Sequence, residues 1–190
     1  MDASLGTVVL VEGASDRVAV EVLAQRRERN LAAEGISVVP IGGAQAIGRF
    51  LELFGPRGLD LRLAGLCDAA EEADFGRALE RAGLGSDLTR DEMERLGFYV
   101  CIVDLEDELI RAVGVDAVEE IIDAQGELGA FRTLQKQGAW RGRPKQEQVH
   151  RFMGSRGGRK VLYSRLLVDA LDLDRVPRPL AGVLAFTSLP

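Results

Sequence analysis

Glu12 and Asp16 flank a turn in "VVLVEGASD" (residues 8–16), Asp68 follows the run "LAGLC", and Asp104 follows "CIV". Carboxylates brought to one surface repel one another strongly unless a cation lies between them. Ligation by oxygen alone selects hard ions, Mg²⁺ first and Mn²⁺ or Ca²⁺ after it. More acid stands behind each of these positions, as Glu71, Glu72 and Asp74 in one stretch and Glu106, Asp107 and Glu108 in the other. Singly, Glu71, Asp74, Asp107 and Glu108 read as helix caps or first-turn acids that meet the positive end of a helix dipole. Glu12 escapes that account, because it lies on the strand side of Gly13. Asp16 follows in the first turn of a helix, where side chains lean toward the N-terminus and so back toward Glu12.

For these acids to meet, the elements that carry them must end on one side of one sheet. "TVVLVEG", "GISVVPIGG", "LDLRLAGLCD" and "GFYVCIVD" are short aliphatic runs of the kind buried on both faces of a parallel sheet. Between them "SDRVAVEVLAQRRER", "AQAIGRFLELFG" and "AAEEADFGRALERAG" show helical periodicity, and "LEDELIRAVG" follows the fourth strand. Strands and helices in this alternation predict an α/β fold with a four-stranded, mainly parallel sheet, right-handed crossovers and helices on both faces. Ligands of such sheets bind beyond the carboxyl ends of the strands, and three of the four strands deliver an acid there. From about Val115 the pattern is mostly helical, which predicts an α/β part over 1–113 and a helical C-terminal extension over 114–190, packed on it.

Composition narrows the chemistry. The single histidine, His150, removes most zinc sites and any scheme that needs two imidazoles. Cys67 and Cys101 lie in apolar runs and read as buried free thiols of a reducing cytoplasm. There is no apolar run long enough to cross a membrane, and the N-terminus lacks the basic start of a signal peptide. The net charge of −6 hides a polarised chain: residues 132–165 hold ten Lys or Arg and one acid, so the rest carries about −15. Within that basic stretch Arg141, Arg143, Lys145, Arg156 and Arg159 are the candidate phosphate contacts, gaining affinity through counterion release. Trp140 reads as a core residue. "GSRGGRKV" is not a phosphate-binding P-loop, since Arg159 replaces the second glycine and Val161 the magnesium-binding hydroxyl.

The order of these motifs resembles a known family. "VVLVEGASD" resembles the first motif of TOPRIM domains, "LAGLCDAAEE" stands where they carry an Asp-rich second motif, and "VDLEDEL" is similar to the third motif of nucleases related to overcoming lysogenization defect (OLD) proteins. "GRKVLYSRLLVDAL" looks like the later segment that bears that family's catalytic lysine, which the resemblance places at Lys160. The resemblance covers about residues 6–112 and implies a TOPRIM sheet and a two-metal Mg²⁺ or Mn²⁺ site. Its ligands would come from Glu12, Asp16, Asp68, Glu72, Asp104 and Glu106. One bound ion would activate water and the other would stabilise the leaving oxygen, with Lys160 stabilising charge on phosphorus. One departure is plain: the usual Asp-x-Asp is Asp68-Ala69-Ala70 here, so Glu71, Glu72 or the third-motif acids must complete the coordination.

The sequence therefore predicts a metal-dependent nuclease that nicks or cleaves DNA in the cytoplasm, with no membrane association. Since OLD proteins join an ATPase to their TOPRIM half and this sequence has none, a separate ATPase subunit is a candidate partner; a homodimer is compatible as well. The competing reading is a degenerate, non-catalytic TOPRIM module that binds nucleic acid or a partner ATPase. Primase-like nucleotidyl transfer lacks a nucleotide-selecting pocket. Topoisomerase action would have only Tyr99 or Tyr163 as nucleophile and no gate domain.

Overall fold

A computed structural model describes residues 6–188. The chain runs through β1 (Thr7–Val11), α1 (Ala14–Arg26), β2 (Ile36–Pro40), α2 (Ile47–Phe54), β3 (Arg62–Cys67), α3 (Glu72–Arg81), α4 (Arg90–Arg95), β4 (Phe98–Val100) and α5 (Leu105–Val113). Five further helices follow: α6 (Val115–Ala124), α7 (Leu128–Lys136), α8 (Lys145–Met153), α9 (Arg159–Ala170) and α10 (Arg178–Phe186). The four strands form one sheet in the order β2-β1-β3-β4, every pair parallel. Val8, Val9, Leu10 and Val11 of β1 are wholly inaccessible, as a central strand covered on both faces must be.

The two faces differ in what covers them. Val8, Leu10, Leu63, Cys67, Phe98 and Val100 pack with α2 and α3 and with Met93 of α4. Val9, Val11, Ala64 and Leu66 pack instead with α1 and with the helices of the C-terminal third, Phe131, Phe152, Tyr163, Leu167 and Val183 among them. The C-terminal segment thus shares one core with the sheet and forms most of its second layer. Arg26 locks that layer by donating from Nη1 to the carbonyls of Val168 and Leu171, both at 2.7 Å. Arg29 donates to the carbonyl of Leu184 at 2.8 Å. Close approach of α10 to the sheet needs Gly182, since a Cβ there would stand inside the Tyr99 ring.

Two elements differ from the sequence reading. The fourth strand stops at Val100 rather than running to Asp104. Cys101 still donates its N–H to the carbonyl of Cys67 at 2.9 Å. The chain then leaves the sheet, and Asp104 is the N-cap of α5. Between α3 and β4 lies a helix not expected from sequence, α4, started by a capping box in which Thr89 and Glu92 each satisfy the other's backbone N–H.

Candidate metal centre and its surroundings

The carboxyl ends of β1 and β3 are adjacent strand ends in a parallel sheet, so Glu12 and Asp68 leave it side by side. After Asp68 the chain makes a short 3-10 turn over Ala69–Glu71, which carries Glu71 round beside them. One carboxylate oxygen from each of Glu12, Asp68 and Glu71 lies within 4.8 Å of the other two. The crowding is paid for in protonation. Burial, then the charges of Glu12, Asp104, Asp16 and Glu71, push the Asp68 carboxyl up to about 8. Burial, then the adjoining Glu12 carboxyl and the charge of Asp16, bring Glu71 up to about 7. Glu71 Oε2 is also buried with no hydrogen-bond partner among the described residues.

Asp16 borders this group. Its Oδ2 accepts the Gly13 N–H at 2.8 Å, which fixes the turn between β1 and α1. Burial raises it to about 7, against that hydrogen bond, with Glu106 and Glu12 adding like charge and Lys160 opposing them. The same α1 start that caps the helix therefore aims a carboxylate at the site.

The third-motif acids divide by role. Asp104 Oδ1 caps α5 by accepting the Asp107 N–H at 2.8 Å, and its Oδ2 meets His150 Nε2 at 2.6 Å. Burial works against ionised Asp104, yet the His150 and Asp107 hydrogen bonds outweigh it and hold Asp104 below the usual carboxylate range. The Asp104 hydrogen bond correspondingly raises His150. Glu106 is buried at 3% exposure, with Oε1 3.3 Å from Lys160 Nζ and no aligned hydrogen bond of its own. Lys160 is raised: burial disfavours its charge, but Glu106, Asp104 and Asp16 outweigh it. Asp107 and Glu108 are structural, bridged by Arg111 at 2.8 and 2.7 Å. Glu108 also accepts the Ile102 N–H at 2.8 Å, which holds the loop before Asp104.

Of the ligand set expected from sequence, the structure thus gathers Glu12, Asp16, Asp68, Asp104 and Glu106 around one region, with Lys160 among them. Glu72 is turned away, bound to Arg90 through Arg90 Nε at 3.0 Å, and Glu71 stands in its place. The reason is the 3-10 turn: its tighter winding puts Glu71 on the Asp68 side and starts α3 with Glu72 facing α4. The His150–Asp104 pair was not legible, because nothing in a 46-residue separation signals that α8 crosses the start of α5.

The expected phosphate contacts also divide. Arg159 is buried, its Nη2 on Glu127 Oε1 at 2.7 Å, its Nη1 on the Phe152 carbonyl at 3.1 Å, and its guanidinium 4.0 Å from the Phe152 ring centroid. Lys145 bridges Asp116 and Glu119 at 2.8 and 2.9 Å. Arg143 is exposed, pairs with Glu147 at 3.1 Å and lies 5.5 Å from the Trp140 ring centroid. Arg141 donates to the Lys136 carbonyl at 3.1 Å, and Arg156 is exposed. Trp140 is half-buried against the second-face core.

Comparison with known proteins agrees with this geometry. Residues 6–69 match the family model described as "Overcoming lysogenization defect protein-like, TOPRIM domain". The C-terminal region of the Burkholderia pseudomallei OLD protein superposes with a TM-score of 0.73 at 20% identity, covering 95% of this chain and 96% of that one. The C-terminal region of the Xanthomonas campestris pv. campestris OLD protein gives 0.72 at 24% identity, with 95% and 93% covered. At these identities the likeness establishes the fold. No curated protein matches the chain.

Proposed function

Starting from the premise that this chain carries an OLD-like TOPRIM domain, we propose that it is a metal-dependent nuclease that hydrolyses phosphodiester bonds in DNA. The observation that carries the reading is the trio of Glu12, Asp68 and Glu71 oxygens within 4.8 Å of one another, with Glu71 Oε2 left without a hydrogen-bond partner. Such a set is unfavourable when empty and matches the all-oxygen coordination of Mg²⁺ or Mn²⁺. Glu12, Asp68 and Glu71 would hold one ion, and Asp16, Asp104 and Glu106 border the space for a second. A bound divalent cation supplies Lewis acidity and lowers the pKa of coordinated water.

The chain's own residues do the rest. His150 keeps Asp104 ionised and oriented through the 2.6 Å contact. Glu106 keeps the Lys160 ammonium charged and directed into the acidic region, where it offsets negative charge gathering on the phosphoryl oxygens. Arg141, Arg143 and Arg156, on exposed surface of the basic segment, are the groups that would meet flanking phosphates.

Incubation of supercoiled plasmid with protein and Mg²⁺ or Mn²⁺ tests the reading, with nicking expected from wild type and none from Glu12→Gln. Absence of nicking with both metals, or equal nicking by Glu12→Gln, would overturn it. The Asp68-Ala69-Ala70 sequence favours a second reading, a non-catalytic module that binds nucleic acid or a partner ATPase. Calorimetry separates the two, since that module would show no Mn²⁺ binding dependent on Glu12 and Glu71.

A further inference from the structure

Beside the acidic centre lies a cleft of about 440 Å³ whose lining includes Val103, Trp140, Pro144, Gln146, His150 and Arg151. Its position and chemistry are unlike those of the centre itself. Val103 is 53% exposed and its neighbour Ile102 63%, so two branched aliphatic side chains face solvent immediately before Asp104. The Glu108 contact to the Ile102 N–H and the Ala69 N–H contact to the Val103 carbonyl, at 2.8 and 3.2 Å, fix the loop that displays them. An aliphatic pair held rigidly in water beside a charged site is unfavourable unless something apolar covers it.

We infer that this cleft receives one unstacked nucleobase, and that the substrate is DNA with an unpaired strand at the point of cleavage. The inference rests on the nuclease reading and adds the strandedness of its substrate. Three observations select a base over other apolar occupants. First, the cleft is continuous with the centre: His150, which lines it, contacts Asp104 at 2.6 Å, so a base in the cleft sets its own phosphate beside the acids. Second, the walls combine the flat Trp140 ring and the aliphatic Val103 and Pro144 with Gln146 and His150; Gln146 Nε2 is held by Asp107 at 2.7 Å and His150 Nε2 by Asp104, so Gln146 Oε1 and His150 Nδ1 are the atoms left to meet the edge of a stacked base. Third, the two acids that also line the cleft are already paired, Asp107 with Arg111 at 2.8 Å and Glu147 with Arg143 at 3.1 Å, so Arg151 gives the lining a positive balance that suits a polyanion. A base paired within a duplex cannot reach such a cleft; one from a single strand, a flap or a frayed end can.

Trp140 is the protein's only tryptophan, so its fluorescence reports on the cleft directly. The experiment titrates the full chain with a thirty-nucleotide oligo-dT and, separately, with relaxed closed-circular plasmid at equal nucleotide concentration, with Ca²⁺ replacing Mg²⁺. Saturable quenching by oligo-dT, with at least fivefold weaker response to the plasmid, is the expected result. Val103→Ser, an exposed position that should not disturb folding, should weaken oligo-dT binding about threefold or more by anisotropy and leave plasmid binding unchanged. Equal quenching by both DNAs, or unchanged oligo-dT binding by Val103→Ser, would overturn the inference and leave the cleft to a protein partner or a second copy of the chain. Binding is read without cleavage, so cleft-dependent binding by a protein that never nicks DNA would sink the nuclease reading alone. Cleavage with equal use of duplex would sink this inference alone.

Discussion

At the scale of single residues, the centre is organised around carboxylates that the fold holds against their own repulsion. Asp68 near 8 and Asp16 and Glu71 near 7 all lie above their ordinary values. Between about pH 4 and 8 the folded protein therefore keeps protons that the unfolded chain releases, and stability without metal falls as pH rises through that window. His150, raised by Asp104, loses its contribution in the same direction on its own titration, while Asp104 loses its contribution only on acidification. Thermal melts in EDTA should show a falling Tm from pH 5.5 to 8.5, and Mn²⁺ should restore it most at the alkaline end, where ligands need no deprotonation. Asp68→Asn should raise the metal-free Tm at pH 8 by several degrees, about 1–2 kcal/mol, and abolish the Mn²⁺ effect. A lower Tm in EDTA for that variant would contradict the account. Much of this was readable beforehand: Glu12 on the strand side of its glycine could not be explained as a cap, and Asp16 had to lean back. The choice of Glu71 over Glu72 was not readable, because adjacent acids differ only in how one 3-10 turn is wound.

Among elements, the strand ends do the positioning and α8 and α9 complete the site. The alternation of aliphatic strand and amphipathic helix made the sheet and its crossovers legible, since both faces of every strand had to be covered. The assignment of helices to faces was not legible, because α9 and α10 lie far along the chain from the α1 surface they cover. Arg159 illustrates the cost of that gap. It sits one residue before Lys160 in a basic run and reads as a phosphate contact, yet it is buried on Glu127, whose other oxygen accepts the Tyr163 hydroxyl at 2.9 Å. Arg159→Ala should therefore destabilise the fold by about 3 kcal/mol by leaving Glu127 and the Phe152 carbonyl unsatisfied, measured by urea unfolding. Lys160, one position on, is half-exposed, and Lys160→Met should abolish nicking with a smaller loss of stability. A second element-level test falls at the docking of α10. Gly182→Ala pushes a Cβ into the Tyr99 ring and should cost about 1–3 kcal/mol by forcing α10 off β4, with a matching fall in the urea midpoint.

Across the whole molecule, charge is separated along the chain: an acidic sheet edge is met by Lys160 of a segment with about nine net positives. Such a division would draw the chain ends of the sheet toward any cation and the basic segment toward any polyanion, and a phosphodiester backbone with its divalent ions satisfies both. Not every positive residue is available, however. Lys145 is held by Asp116 and Glu119, and Arg159 by Glu127, so their charges are already balanced within the fold. Arg156 lies exposed at the turn before α9. The salt dependence of DNA binding separates these cases, since each lost phosphate contact lowers the slope of log K against log salt by about one. Arg156→Ala should reduce that slope by about one without changing Tm. Lys145→Ala should leave the slope as it is and cost a little stability. The reverse pattern would mean that the Asp116–Lys145–Glu119 network opens when DNA binds, and that the basic segment rearranges instead of presenting a preformed surface.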